Sequence, residues 1–215
     1  MARTRTAPAA TLVLFVRHGL TPTTGDVLPG RARGLRLSEQ GREQAEQVAR
    51  RLATVRKVAA VYASPLERTR ETARPIARML GLPVRVERGL LECDFGAWTG
   101  RQLKELRRLP EWRVVQRHPS GFRFPGGESF LEMQTRMVAT VQRLVAAHPG
   151  EAIVAVSHAD PIKAAVAHAV GSHLDLFQRV VISPCSVTAV WYGSGGPTVL
   201  TTNSTGDDLG QLARS

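Results

Sequence analysis

Short apolar runs alternate along the chain with longer segments in which apolar residues recur every three or four positions. The short runs are typical of buried strands, and the longer segments are typical of amphipathic helices that cover a sheet. Strands are predicted over residues 11–16, 58–63, 84–86, 152–156, 186–191 and 198–202. Helices are predicted over residues 39–52, 66–80, 99–109, 129–147 and 161–170. Strands that alternate with helices predict an α/β fold with a mostly parallel sheet.

Local signals support several of these bounds. Ser38 and Ser64 have side chains typical of helix N-caps, and Pro65 suits the first position of the second helix. Gly81 suits the end of that helix, because glycine adopts the left-handed conformation that often closes one. The glycine-rich segment 193–196 predicts a hairpin between the last two strands.

The length of 215 residues is sufficient for one domain with a full-sized core. We expect flexible tails at residues 1–10 and 204–215, on either side of a single domain at residues 11–203. The stretch at about residues 93–149 is longer than a simple crossover between strands. It predicts a helical cap over one edge of the sheet.

Three of the predicted strands lead into residues suited to holding or transferring a phosphoryl group. Arg17 and His18 directly follow the first strand, and His158 comes just after the strand at 152–156. Arg68 falls near the first turn of the second helix, where free backbone N–H groups also favour an anion. Because the carboxyl ends of parallel strands meet at one edge of a sheet, we expect these side chains to lie together. A guanidinium binds two phosphate oxygens at once, so the pattern predicts a phosphate site.

Five segments resemble, in the same order, the motifs of the histidine phosphatase superfamily, which includes the cofactor-dependent phosphoglycerate mutases. They are residues 16–19, 37–41, 64–73, 91–100 and 156–158. The resemblance extends from about residue 12 to about residue 190, which is most of the chain. It implies a three-layer α/β/α sandwich in which a mostly parallel sheet has one antiparallel edge strand.

The resemblance also implies a two-step phosphoryl transfer. His18 would attack phosphorus and become a phosphohistidine, while Arg17, Arg68 and His158 would hold the oxygens of the transferred group. Glu92 would protonate the leaving oxygen, since an alkoxide is a poor leaving group, and would then take a proton from the attacking water. Fixed cations would stabilise the charge spread over the transferred oxygens. This scheme requires no metal or cofactor, and the sequence has no clear metal-ligand cluster.

Two positions expected to bind substrate depart from the family pattern. Thr24 stands where many members have asparagine, and a hydroxyl is still able to donate to a phosphate oxygen. Ala159 stands where many members have glycine after the second histidine. Asp160 and Asp94 are alternative acids, and we rank both behind Glu92.

The resemblance favours a phosphomonoester hydrolase. Classical mutases carry an additional basic segment between the acid and the second histidine, whereas the short stretch at 124–129 resembles the phosphatases. The segment 157–163 also resembles a bacterial phosphomutase subgroup, so a phosphoglycerate mutase-like phosphomutase is the alternative. A non-catalytic protein that binds a phosphate ligand is the second alternative, although every residue of the expected catalytic set is present.

Composition argues against several other classes of protein. The net charge of +11 is carried almost entirely by arginines that are spread along the chain beside glutamates, which disfavours a nucleic-acid partner. The same charge would steer anionic substrates towards the protein. Two distant cysteines argue against a disulfide framework, and no apolar run has membrane-spanning length. We expect a cytoplasmic protein that binds a small phosphorylated metabolite and no membrane, and the sequence is compatible with a homodimer.

Overall fold

The computed structural model describes residues 9–206. The predicted tails at 1–10 and 204–215 therefore lie mainly outside the described residues. Ser204 is the exception, because it closes the last strand instead of beginning a tail. Its hydroxyl accepts a hydrogen bond of 2.7 Å from Arg51 Nη2, which ties this end of the strand to a helix. No helix within the described range is both long and apolar enough to cross a membrane.

A single six-stranded sheet forms the middle of the molecule. The strands are β1 (Thr11–Arg17), β2 (Val58–Ala63), β3 (Val84–Val86), β4 (Ala152–Ser157), β5 (Val187–Gly193) and β6 (Gly196–Ser204). Their order across the sheet is β3-β2-β4-β1-β5-β6. The first four in this order are parallel, β5 runs antiparallel to β1, and β6 returns antiparallel to β5 as the predicted hairpin. The strand that runs antiparallel to its neighbours on both sides is therefore β5, which lies next to the edge strand β6 and is not itself at the edge.

Helices cover both faces of the sheet. The α-helices are α1 (Glu39–Leu52), α2 (Glu67–Leu80), α3 (Leu103–Leu106), α4 (Pro110–Arg117), α5 (Phe130–Ala147) and α6 (Ala159–Ala169). Leu12 and Leu14 of β1 face the core shared with α1 and α2. Val13 and Phe15 face the opposite core, shared with α5 and α6. This alternation follows the two-residue period of a strand that is buried on both faces, and it confirms the predicted α/β/α sandwich.

The cap over the sheet edge is built differently from the prediction. The expected helix at 99–109 is wrong, because only the single turn of α3 forms there and a second helix, α4, begins at Pro110. A residue before proline is disfavoured in a helix, whereas proline itself suits the first helical position, so the chain breaks at Leu109 and restarts. Within the predicted cap at about 93–149, α5 also packs against the sheet, through Met137, Val141 and Leu144. A buried aromatic cluster that includes Phe95, Phe124 and Phe130 fills the cap.

The two predicted serine caps have different outcomes. Ser38 caps α1, and its hydroxyl accepts a hydrogen bond of 3.0 Å from the backbone N–H of Gly41. Ser64 is not a cap, because α2 starts later and its N-cap position is Leu66. The Ser64 backbone N–H still donates to the Val156 carbonyl of β4, at 3.0 Å. The chain therefore continues beside the sheet through Ser64, which leaves the hydroxyl free for another role.

Candidate active site

The carboxyl ends of three adjacent central strands bring the predicted residues together. His18 follows β1, and its backbone N–H donates to the carbonyl of Ser157 at the end of β4, at 3.0 Å. His158 is the next residue along, and Ser64 follows β2 on the other side of β4. The side chains of His18 and His158 lie edge to face, with ring centroids 5.3 Å apart. The sheet thus places both histidines in one site, as the sequence predicts.

His18 is buried and held in one neutral tautomer. Its Nδ1 lies 2.8 Å from the carbonyl oxygen of Gly19, and a carbonyl only accepts, so Nδ1 carries the proton. Arg68 Nε donates to Nε2 of the same ring at 3.3 Å, so Nε2 presents its lone pair. Burial lowers the pKa of His18 well below its ordinary value, and the charges of Arg68 and Arg17 lower it further. The result is a neutral imidazole with a nucleophilic Nε2.

The two arginines of the site have no acidic partner within the described range of the chain. Arg68 is fully buried; its Nη2 donates to the Gly30 carbonyl at 2.8 Å, and its Nη1 hydrogen bonds to no described residue. Arg17 donates through Nη1 to the Ile182 carbonyl at 2.7 Å. Burial lowers the pKa of each guanidinium from its ordinary value. Buried charges are costly unless they are paired, so this pair is suited to an anionic ligand.

His158 is fully buried beside these groups. Its Nε2 lies 2.9 Å from the hydroxyl of Ser64, while its Nδ1 hydrogen bonds to no described residue. Burial is the main cause that lowers the pKa of His158 well below its ordinary value, and Arg68 and His18 add to the effect. When Nε2 accepts the Ser64 hydroxyl proton, the neutral ring is left with Nδ1–H as a donor.

Glu92 brings a carboxyl group to the same site from the cap. It is buried, with 7% of its surface exposed, and its Oε1 accepts a hydrogen bond of 2.9 Å from the Cys93 backbone N–H. Burial and, next, the charge of Asp160 raise its pKa to about 7. Cys93 and the two site arginines oppose that shift. A carboxyl group that is part protonated near neutral pH is suited to give and take a proton.

A network of charged side chains holds the backbone of Glu92. Arg31 Nε donates to the Glu92 carbonyl at 2.9 Å, and Arg136 Nη2 reaches the same oxygen at 3.4 Å. Both arginines also bind the carboxylate of Glu128, at 2.8 Å for Arg31 and 3.0 Å for Arg136. Asp94, one of the alternative acids, is drawn into this network by Arg31 at 3.5 Å and does not line the cavity described next.

A cavity of about 340 Å³ opens over the reacting groups. Its lining includes Arg17, His18 and Glu92, together with Thr24, Ala159 and Asp160. Thr24 Oγ1 accepts a hydrogen bond of 2.9 Å from the Thr21 backbone N–H, which fixes the loop after β1. The structure therefore brings together every residue predicted to bind or react, with Asp160 beside them.

The family model of the histidine phosphatase superfamily (branch 1) matches residues 13–205. The chain belongs to this superfamily. It is 33% identical over 204 residues to a bifunctional protein of Mycobacterium tuberculosis, an alignment that covers 91% of this chain and 54% of that protein. The chain thus spans about half the length of this curated relative.

Two further relatives of this chain are similar over more of their length. Phosphoserine phosphatase 1 of Hydrogenobacter thermophilus is 33% identical over 153 residues, which covers 69% of this chain and 72% of the relative. The solved structure of a mycobacterial glucosyl-3-phosphoglycerate phosphatase superposes with a TM-score of 0.82 at 26% identity. That superposition covers 91% of this chain and 99% of the other.

Sequence reasoning missed two contributors to this site. Ser64 orients His158, but its position before a proline and a helix is equally typical of a cap. Glu128 lies in the short stretch 124–129, which resembles the phosphatases. Nothing in the local sequence indicates that its carboxylate binds two distant arginines. Within residues 9–206 no three or more His, Cys, Asp or Glu side chains form a group that would hold a metal ion.

Proposed function

We propose that this chain is a metal-independent phosphomonoester hydrolase that acts through a phosphohistidine on a small phosphorylated metabolite. The observation that carries the proposal is the state of His18. Its Nε2 lone pair faces Arg68 Nε at 3.3 Å, the charge of Arg17 also acts on the ring, and its Nδ1–H donates to the Gly19 carbonyl at 2.8 Å. A neutral imidazole in that setting is a nucleophile aimed at the place where the arginines favour a phosphate.

In the first step His18 Nε2 forms a bond to phosphorus while the bond from phosphorus to the ester oxygen breaks. The Glu92 carboxyl group gives its proton to that oxygen, which leaves as an alcohol. In the second step the Glu92 carboxylate takes a proton from water, and the water oxygen attacks phosphorus as the bond to Nε2 breaks. Inorganic phosphate leaves, and both His18 and Glu92 return to their starting states.

Arg17, Arg68 and His158 are proposed to hold the oxygens of the transferred group. Their support is geometric: Arg68 Nη1 and His158 Nδ1 are buried, polar and not hydrogen bonded within the described residues. Preorganised donors and charges of this kind stabilise the charge that spreads over a phosphoryl group in the transition state. Thr24 and Ala159 are proposed to contact the substrate, since both line the cavity.

Two similar proteins favour hydrolysis over phosphoryl transfer between substrates. One is named a phosphoserine phosphatase and the other a glucosyl-3-phosphoglycerate phosphatase. Both names describe the removal of phosphate from a monoester. We also propose a cytoplasmic location, supported by the two cysteines, Cys93 and Cys185, which are both free and buried thiols.

The proposal is tested by measuring phosphate release from a panel of phosphomonoesters in the presence of a chelator. We expect turnover by the wild-type protein and a loss of at least about a thousandfold in His18→Ala, because the nucleophile is removed. His168→Ala is the matched control, since His168 is exposed on α6 and should leave the rate unchanged.

Other outcomes would contradict a hydrolase. No turnover together with labelling of His18 by a bisphosphorylated sugar acid would identify a phosphomutase. Neither turnover nor labelling would indicate a protein that binds a phosphate ligand without catalysis.

A further inference from the structure

The cavity is lined by two chemically different sets of residues. Arg17, His18 and Glu92 are the set proposed to react with or hold the phosphoryl group. The other residues of the lining would surround the leaving group of a substrate. They are mostly apolar, with Val27, Leu28, Pro29, Phe95 and Leu103. Two threonine hydroxyls and a single carboxylate, that of Asp160, are the polar side chains of this part.

Asp160 presents this carboxylate from the first turn of α6, two residues after His158. Its one ionic contact in the described chain is with Lys163 Nζ, at 3.6 Å, and no described residue hydrogen bonds to its side chain. Lys163 also has a shorter contact with another residue, because its Nζ donates to Gln178 Oε1 at 3.0 Å. The Asp160 side chain is 16% exposed, so its charge is only weakly screened by solvent. A carboxylate with spare acceptor capacity therefore borders the cavity, close enough to Glu92 for its charge to act on that group.

Among the described residues, Arg17 is the arginine that lines the cavity with Asp160, and the two charges attract each other. Arg17 is also the group proposed to hold the phosphoryl group, which would use its positive charge. Another cluster of cations, which includes Arg31, lines a separate cavity of about 320 Å³ that shares no lining residue with the first. Arg31 is paired with Glu128 at 2.8 Å. When a phosphoryl group occupies Arg17, the leaving group would therefore meet the negative charge of Asp160.

We propose that Asp160 determines substrate specificity by selecting phosphomonoesters whose leaving group presents a hydrogen-bond donor, an ammonium or a hydroxyl, and carries no carboxylate. The inference rests on the proposed function, because it assumes that Arg17 holds the phosphoryl group. A carboxylate on the leaving group would be repelled by Asp160, whereas an ammonium would be attracted and a hydroxyl would donate to it. The apolar walls contribute contacts that do not depend on charge.

The test measures binding, so that it does not depend on turnover. Dissociation constants are measured by calorimetry on the His18→Ala background for four three-carbon esters of matched size. The esters are 3-aminopropyl phosphate, glycerol 3-phosphate, n-propyl phosphate and 3-phosphoglycerate. We expect 3-aminopropyl phosphate to bind at least about tenfold more tightly than 3-phosphoglycerate, with glycerol 3-phosphate between them.

The decisive comparison adds Asp160→Asn, which keeps the shape of the side chain and removes its charge. This change should reduce the preference for the amine over the carboxylate by about tenfold, and should leave n-propyl phosphate nearly unaffected. Asp26→Asn, at an exposed position in the loop after β1, is the matched control and should leave every ratio unchanged.

Three results would overturn the inference. They are equal affinity for the amine and the carboxylate, a preference that survives in Asp160→Asn, and no measurable binding of 3-aminopropyl phosphate. Because each is a binding result, it is distinguishable from a failure of the proposed hydrolase, which the phosphate-release assay detects separately.

Discussion

The surroundings of His18 and Glu92 favour the neutral form of each group, and their pKa values therefore move in opposite directions. Burial lowers the pKa of His18, with further help from two arginines, because it disfavours the imidazolium ion. Burial raises the pKa of Glu92, with help from Asp160, because it disfavours the carboxylate. A neutral base next to a neutral acid is the pairing that nucleophilic attack with protonation of the leaving group requires. The chemistry of the site therefore depends on desolvation as much as on residue type.

The pKa of Glu92 predicts how stability depends on pH. The folded protein keeps this proton up to about pH 7, whereas the unfolded chain releases it near the ordinary value of 4.5. The contribution of Glu92 to stability should therefore fall as pH rises through this window, because ionisation of this group favours the unfolded chain, whereas the lowered pKa values of His18 and His158 act in the opposite direction. Glu92→Gln removes the effect. It should be more stable than wild type by on the order of 2 kcal/mol near pH 8 and nearly equal near pH 4.

Urea unfolding at the two pH values measures this difference. Glu43→Gln is the control, since Glu43 is exposed on α1 and its replacement should change little at either pH. A difference between Glu92→Gln and wild type that is the same at both pH values would show that Glu92 titrates normally.

At the scale of elements, a close approach between α1 and the loop after β1 positions the nucleophile. The Ser38 backbone N–H donates to the Leu20 carbonyl at 2.9 Å, just before α1 begins. A Cβ atom on Gly41 would lie 2.0 Å from that same carbonyl oxygen, and one on Gly19 would lie 2.5 Å from the Gly41 carbonyl oxygen. Only glycine fits at these two positions, so the helix is able to hold the backbone next to His18.

Gly41→Ala should destabilise the protein by about 1–3 kcal/mol, because the added methyl group overpacks the contact. The direction of this change in stability is informative, since replacing glycine by alanine inside a helix would otherwise stabilise the helix by about 0.5–1 kcal/mol. Catalytic efficiency should fall as well, because the loop that carries His18 has to move.

Thermal unfolding and kcat/KM test this prediction together. Gly195→Ala, in the turn between β5 and β6, is the matched control, since a Cβ there would have no neighbour within 4 Å. It should change stability by no more than about 0.5 kcal/mol. Equal effects of the two substitutions would contradict the packing argument.

At the scale of the whole molecule, the net charge of +11 gives the protein a field that attracts anions. Many arginines outside the site pair with acids on the surface, as Arg78 does with Glu46 at 2.7 Å. Such exposed pairs contribute little to stability. The unbalanced arginines that remain are better placed to influence how fast an anionic substrate arrives.

The rate of substrate capture should therefore depend on salt. Raising the ionic strength from about 0.02 M to about 0.5 M should lower kcat/KM for a phosphate monoester severalfold, because screening shortens the reach of the field. The rate at saturating substrate should change much less, since the chemical step takes place among buried groups. Steady-state kinetics across a salt series measures both. A kcat/KM that does not change with salt would show that the net charge has no role in steering.

The sequence by itself determined the fold class, the strands of the central sheet, and the placement of His18, Arg17, Arg68 and His158 at one edge. These follow from local signals, because periodicity specifies an element and residues that directly follow parallel strands share an edge. The helix bounds in the cap and the role of Ser64 depend on distant contacts, and there the local signals were misleading. The electrostatic properties of the site depend on burial. The neutral state of His18, the raised pKa of Glu92 and the position of Asp160 in the cavity arise when remote segments exclude water and bring charges together, and only the tertiary structure decides which segments meet.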